Sequence, residues 1–118
     1  DSILDVKLIE SRVEMDRSMY AEIVQEFMRT AVQEMGNIEE CMKSSDWPRL
    51  IEACHRLKGV GANIGTARIK SVCAEMERLG QKADGPELDK ALIRLKDAYR
   101  QTETEFESYF KTDGRPTV

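Results

Sequence analysis

The stretch RSMYAEIVQEFMRTAVQEMGNIEECMK, residues 17–43, places Tyr20, Ile23, Val24, Phe27, Met28, Ala31, Met35, Ile38 and Met42 at helical spacing. Steps of three and four over this length make one apolar stripe along a long helix. Asp16 stands before it as a cap. Gly36 lies inside it at a cost of about 1 kcal/mol relative to Ala, marking a point where a local kink is expected. Upstream, Val6, Ile9 and Val13 give a short helix over 5–13 with Asp5 as its cap, and residues 14–16 interrupt the pattern.

The same period continues downstream. Asp46 caps a third segment with Pro48 in its first turn, where the missing N–H costs nothing. Its apolar positions are Trp47, Leu50, Ile51, Cys54, Leu57 and Gly61, and it is expected to end within 61–65. A fourth segment, about 66–82, carries Ile69, Val72, Cys73, Met76 and Leu79. Asp84-Gly85-Pro86 breaks the chain and opens a last helix over about 86–110. There Leu88, Leu92, Leu95, Tyr99, Thr102, Phe106 and Tyr109 form a narrow stripe typical of bundle packing. The expected fold is all-α: an antiparallel, up-down-up-down four-helix bundle with a short extra N-terminal helix. One domain is expected over 1–110, with 111–118 as a flexible C-terminal tail.

Composition excludes several function classes. A chain of 118 residues suits one domain. Its longest apolar runs are triplets such as Met19-Tyr20-Ala21, far short of the ~18–20 residues of a membrane span, so direct membrane insertion is not expected. No leader with a cleavage site is visible, which predicts a cytoplasmic location. The chain does not start with Met, as expected of a piece of something larger. Cys41, Cys54 and Cys73 lack CxxC spacing and sit among apolar positions. Core filling in a reducing compartment is their expected role, with a three-cysteine metal site as the alternative. A net charge of −4 argues against a nucleic-acid partner.

The single histidine, His55, rules out any site needing two. On a helical wheel, Leu50, Cys54, Leu57 and Gly61 share a core-facing arc, and His55 falls roughly 120° from its centre, at the edge of the solvent face. Its neighbours at i+3 and i+4 are Lys58 and Gly59. A glycine in a helix interior is unfavourable by ~0.5–1 kcal/mol. On an exposed face it leaves the imidazole uncovered, and another protein's surface can approach closely. Lys58 puts an ammonium within reach of an anion on the ring. Residues 43–82 hold eight cations against four carboxylates, a net +4, which leaves −8 for the rest. A basic middle around the one histidine suits an anionic group or an acidic partner. Imidazole can accept and release a phosphoryl group, a reaction that asks mainly for positioning and charge neutralisation. Neither a GxxxxGK[ST] nor a GxGxxG loop occurs, so ATP-dependent kinase activity of its own is not expected.

The run His55-Arg56-Leu57-Lys58-Gly59-Val60-Gly61-Ala62-Asn63-Ile64-Gly65, of the form HxxKGxxAxxG, resembles the signature of histidine-containing phosphotransfer (HPt) domains. The likeness continues through Arg68, Ile69, Cys73, Met76, Glu77 and Leu79, and Asp46-Trp47 resembles the family's entry into the histidine helix. It departs at Val60 and Gly61, where the family often carries Ser. The resemblance implies a phosphorelay intermediate, with His55 as phosphoacceptor, Lys58 stabilising the phosphate, and Gly59 giving clearance. Glu77 stands where some members have a Gln that bonds the imidazole, and a carboxylate there would orient the ring. The implied partners are receiver domains of a response regulator and of a hybrid sensor histidine kinase. No cofactor is implied for this chain, and Mg²⁺ is expected only in the partner receiver domain.

Two other readings compete. One is a non-catalytic helical adaptor with an unused histidine. The other, a sensor kinase's dimerisation domain, expects an acidic residue after the histidine and a proline soon after; Arg56 and Val60 do not fit it.

Overall fold

In the computed structural model, which describes residues 2–112, four helices follow one another: α1 (Val6–Lys43), α2 (Trp47–Ile64), α3 (Ala67–Gln81) and α4 (Gly85–Thr112). The described residues contain no strand. α1 is two helices joined at Asp16, whose extended backbone (φ −166°, ψ 98°) breaks the hydrogen-bond ladder. The Asp16 carboxylate accepts from the Met19 amide and starts the longer part, as Asp5 starts the shorter by accepting from Leu8. The separate N-terminal helix is therefore present, and its boundary is narrower than residues 14–16.

The remaining boundaries follow local chemistry. Asp46 caps α2 through the Arg49 amide. Gly65 ends it in the left-handed region (φ 91°), a conformation that glycine adopts without a Cβ clash. The expected kink at Gly36 does not occur, since Asp16 is the one non-helical residue within α1. Buried Met35 and Ile38 anchor the helix on both sides of the glycine, and their packing outweighs its conformational freedom. α4 continues two residues beyond 110; the rest of the expected tail, 113–118, lies outside the described residues.

Neighbouring helices run antiparallel. Along α1, Glu34 meets Arg56, Phe27 faces Gly61, and the Tyr20 hydroxyl donates to the Ile64 carbonyl, so rising numbers in α2 meet falling numbers in α1. His55 meets Glu77 in α3 while Gly80 faces Leu50 and Ile51. Arg94 pairs with Glu75 and Arg68 with Gln101, and Tyr99 donates to the Met28 carbonyl. The four helices thus form a square ring, α1-α2-α3-α4, closed by α1 and α4.

The core holds Phe27, Ile38, Leu50, Leu57, Ile69, Met76, Leu88 and Leu95, all nearly sealed from solvent. The apolar stripes read from the sequence supply it, with two corrections: Val6, in the first turn of α1, is 50% exposed, and Ile23 is 45% exposed. Ile23 sits at the rim of a stripe whose centre, Val24 and Phe27, carries the burial. Ala53, Ala91 and Ala98 fill the close approaches between helices. The N-terminal helix covers one end, with Asp5 donating to the Gly65 carbonyl and Arg12 to that of Asn63. Phe106 stacks on Phe110, Tyr20 meets Phe106 edge-on, and Arg17 lies over the Phe110 ring. All three cysteines are buried and free, and the described residues hold no cluster able to bind a metal. Cys41, Cys54 and Cys73 are therefore core residues, and burial pushes the Cys54 thiol up to about 12. Among the described residues no helix is long and apolar enough to cross a membrane.

Candidate functional site

α2 carries one polar face along Glu52, His55, Arg56 and Gly59, opposite the buried Leu50, Cys54, Leu57 and Gly61. The His55 side chain is 71% exposed, on the side of α2 that borders α3. Across that seam, Met76 and Leu79 are buried and Glu77 emerges at the helix edge beside the ring. Glu77 Oε1 lies 3.3 Å from His55 Nδ1. An ionised carboxylate only accepts, so this contact puts the proton on Nδ1 and leaves the Nε2 lone pair free to attack an electrophile.

The same oxygen, Glu77 Oε1, is 2.9 Å from Lys58 Nζ. Lys58 and Glu77 are better shielded than the histidine, with side chains 28% and 16% exposed. The structure thus brings together His55, Lys58 and Glu77, three of the four residues singled out in the sequence. The fourth, Gly59, faces outward; a Cβ built on it would meet nothing within 4 Å. Among the described residues no packing asks for a glycine there. Gly61 is the opposite case, since a Cβ would lie 2.5 Å from Thr66 Oγ1 and 3.4 Å from the Phe27 ring. Of the two glycines, one makes room for α1 and the other makes room outside the molecule.

Two features escaped the sequence reading. One is the Lys58–Glu77 ion pair, which depends on the register of α2 against α3. The other is a bidentate pair: Arg56 Nε and Nη2 donate to the two oxygens of Glu34, at 2.9 and 3.2 Å, and Asn37 donates to the same carboxylate. Arg56 holds the Glu34 carboxyl below the usual carboxylate value. This clamp ties α2 to α1 one residue from His55, and an acid spaced to face the histidine helix was its only signal in the sequence.

Exposed apolar side chains also occur on α2 and α1. Val60 is 47% exposed on α2, and Ile23 stands one turn from Phe27, which packs against Gly61. The arrangement offers a nucleophilic nitrogen, a nearby ammonium and open space at Gly59. It contains no phosphate-binding loop.

Comparison with known proteins agrees with this geometry. The bundle superimposes on a histidine-containing phosphotransfer protein from maize, ZmHP2, with a TM-score of 0.81, 18% identity, and coverage of 95% of this chain and 92% of that one. For a similar protein from rice the TM-score is 0.82 at 17% identity, covering 92% and 82%. Saccharomyces cerevisiae Ypd1, solved with the receiver domain of its downstream response regulator Ssk1, gives 0.68 at 20% identity, covering 95% and 97%. In sequence, the sensory/regulatory protein RpfC of Xanthomonas campestris is 29% identical over 83 residues, 67% of this chain and 11% of that protein. The virulence sensor protein BvgS of Bordetella pertussis is 30% identical over 82 residues, 67% of this chain and 6% of that protein. The chain spans about a tenth or less of the length of these curated relatives. A family model, the Hpt domain, matches residues 22–105, from the second part of α1 to α4, and the chain belongs to that family.

Proposed function

We propose that this protein is a phosphorelay intermediate in which His55 Nε2 takes a phosphoryl group from a receiver-domain aspartate and gives it to another. The observation that carries the reading is the exposed imidazole, fixed through Nδ1 by Glu77, with Lys58 one turn away and open space at Gly59. In the accepting step the Nε2 lone pair forms the N–P bond, the acyl P–O bond breaks, and the aspartate leaves as a carboxylate. The Nδ1 proton stays on the ring throughout, held by Glu77. Lys58 offsets the charge of the bound phosphoryl group.

Receiver domains of a response regulator and of a hybrid sensor histidine kinase are the proposed partners. Three observations support this: Ypd1 was solved with such a domain, the sequence relatives are sensor proteins, and His55 is exposed with open space at Gly59 one turn away. Mg²⁺ belongs in the partner's aspartate pocket, and the chain needs no cofactor of its own. A cytoplasmic location goes with this role.

A transfer assay tests the reading. Incubation with a phosphorylated receiver domain and Mg²⁺ labels the wild-type protein with acid-labile, base-stable phosphate, and His55→Gln abolishes the label. Label that persists in His55→Gln contradicts the site. Failure across a panel of receivers favours the adaptor reading.

A further inference from the structure

The α1–α4 seam lies across the ring from the α2–α3 seam that carries His55. Lys96 pairs with Glu39 toward one end of it, and Arg17 donates to the Phe110 carbonyl at the other. Between them a groove of about 900 Å³ opens to solvent. Its floor is apolar, built on buried Val24 and Phe106 with Met28 half-buried beside them, and the Tyr99 hydroxyl crosses it to the Met28 carbonyl. Val32, on the α1 edge, is 52% exposed. The α1 wall runs from Arg17 to Gln33, roughly 24 Å, which matches about four turns of a helix laid alongside.

Charge on the two walls is unequal. On α1, Arg29 is held by Glu26, and Arg17 is engaged by the Phe110 carbonyl and ring. On α4, Glu103 and Glu107 sit four residues apart, and neither pairs with a cation among the described residues. Lys111, at the far end, stands in the last turn of α4, where a cation offsets the helix dipole. The uncompensated charge facing the groove is therefore acidic. Outside residues 43–82 the chain carries −8, and both walls belong to that part, so two copies of this face repel each other.

We infer that this groove docks an amphipathic helix of a partner protein, one with an apolar face and two Lys or Arg four residues apart along one flank. The apolar face covers Val24, Met28, Val32 and Phe106, and the two cations meet Glu103 and Glu107. Residues four apart lie one turn apart on any α-helix, so the spacing of the cations matches that of the carboxylates. The groove and His55 occupy opposite seams, and the docked helix leaves the imidazole uncovered. The site anchors the protein to its partner without touching the histidine.

The probe is a synthetic helical peptide of about sixteen residues, with leucines along one face and lysines at two positions four apart on its flank. A control peptide carries glutamates at those two positions. Fluorescence anisotropy reads binding to the full chain, and amide chemical shifts read the site. The lysine peptide is expected to bind about tenfold more tightly than the control. It should shift signals along 17–33 and 99–111 and leave that of His55 in place. Glu103→Lys combined with Glu107→Lys reverses the preference, and Val32→Asp weakens both peptides about tenfold. A lysine peptide that fails to bind, binds the double variant equally well, or shifts the α2–α3 face overturns the proposal. Wild-type dimers that Val32→Asp dissociates give the groove to a second copy, and equal shifts with dodecyltrimethylammonium give it to a small amphiphile. Either result overturns the partner helix.

Discussion

Gly59 and Gly61 sit two residues apart on one helix and answer to different partners. The helical wheel separates them from sequence alone: Gly61 falls in the core arc and Gly59 outside it. The structure gives the reason, open space around one and Thr66 Oγ1 against the other. Gly59→Ala is therefore expected to stabilise the fold by about 0.5–1 kcal/mol, the helix-propensity difference. Gly61→Val is expected to cost about 2–3 kcal/mol by overpacking. Thermal unfolding reads both. Gly59→Leu is expected to keep the helical fold while blocking phosphoryl transfer, because its side chain covers the approach to His55. An unchanged transfer rate in Gly59→Leu contradicts the clearance role. The ion pair between Lys58 and Glu77 was not legible in the same way. A wheel fixes which face a residue occupies, but the height of α3 against α2 comes from packing around Leu50, Ile51 and Gly80.

At the scale of the helix, caps and stripes were readable because each is local. Asp5, Asp16 and Asp46 all cap as their positions suggest, each accepting from an amide three residues on. The expectation at Gly36 failed for a reason outside its neighbourhood, namely the burial of residues on both sides of it. The α1–α2 clamp is a second feature of packing, with Glu34 buried at 9% exposure and bonded by Arg56 and Asn37. Glu34→Gln is expected to lower stability at neutral pH by roughly 1–2 kcal/mol, the worth of charge-assisted bonds to a half-exposed arginine. The pH dependence has a definite sign. The folded carboxyl titrates below its ordinary value of 4.5, so its contribution is complete above that value and is lost as the pH falls through the folded one. Denaturation midpoints of wild type and Glu34→Gln should converge in acid. A gap that persists there contradicts the clamp.

Across the whole molecule, the three thiols report on the core. Cys54 and Cys73 are sealed and Cys41 nearly so, and burial raises all three above the usual thiol value. Alkylation of the native protein at neutral pH should then follow opening of the bundle and accelerate with denaturant in step with unfolding. Rapid modification of any one thiol without denaturant contradicts the packing. The bundle's scaffold role also explains how function became readable. Four helices with ordinary stripes give a common fold, whereas one exposed histidine, a lysine three residues on and a glycine four residues on define the chemistry. The central claim is that the phosphoryl group resides on Nε2 of His55. The most direct measurement is ³¹P and ¹⁵N NMR of the protein after phosphorylation by a receiver domain. The account predicts a single phosphohistidine signal coupled to Nε2, with Nδ1 protonated, and its absence in His55→Gln. A phosphoryl group on Nδ1, or on any other residue, would contradict it.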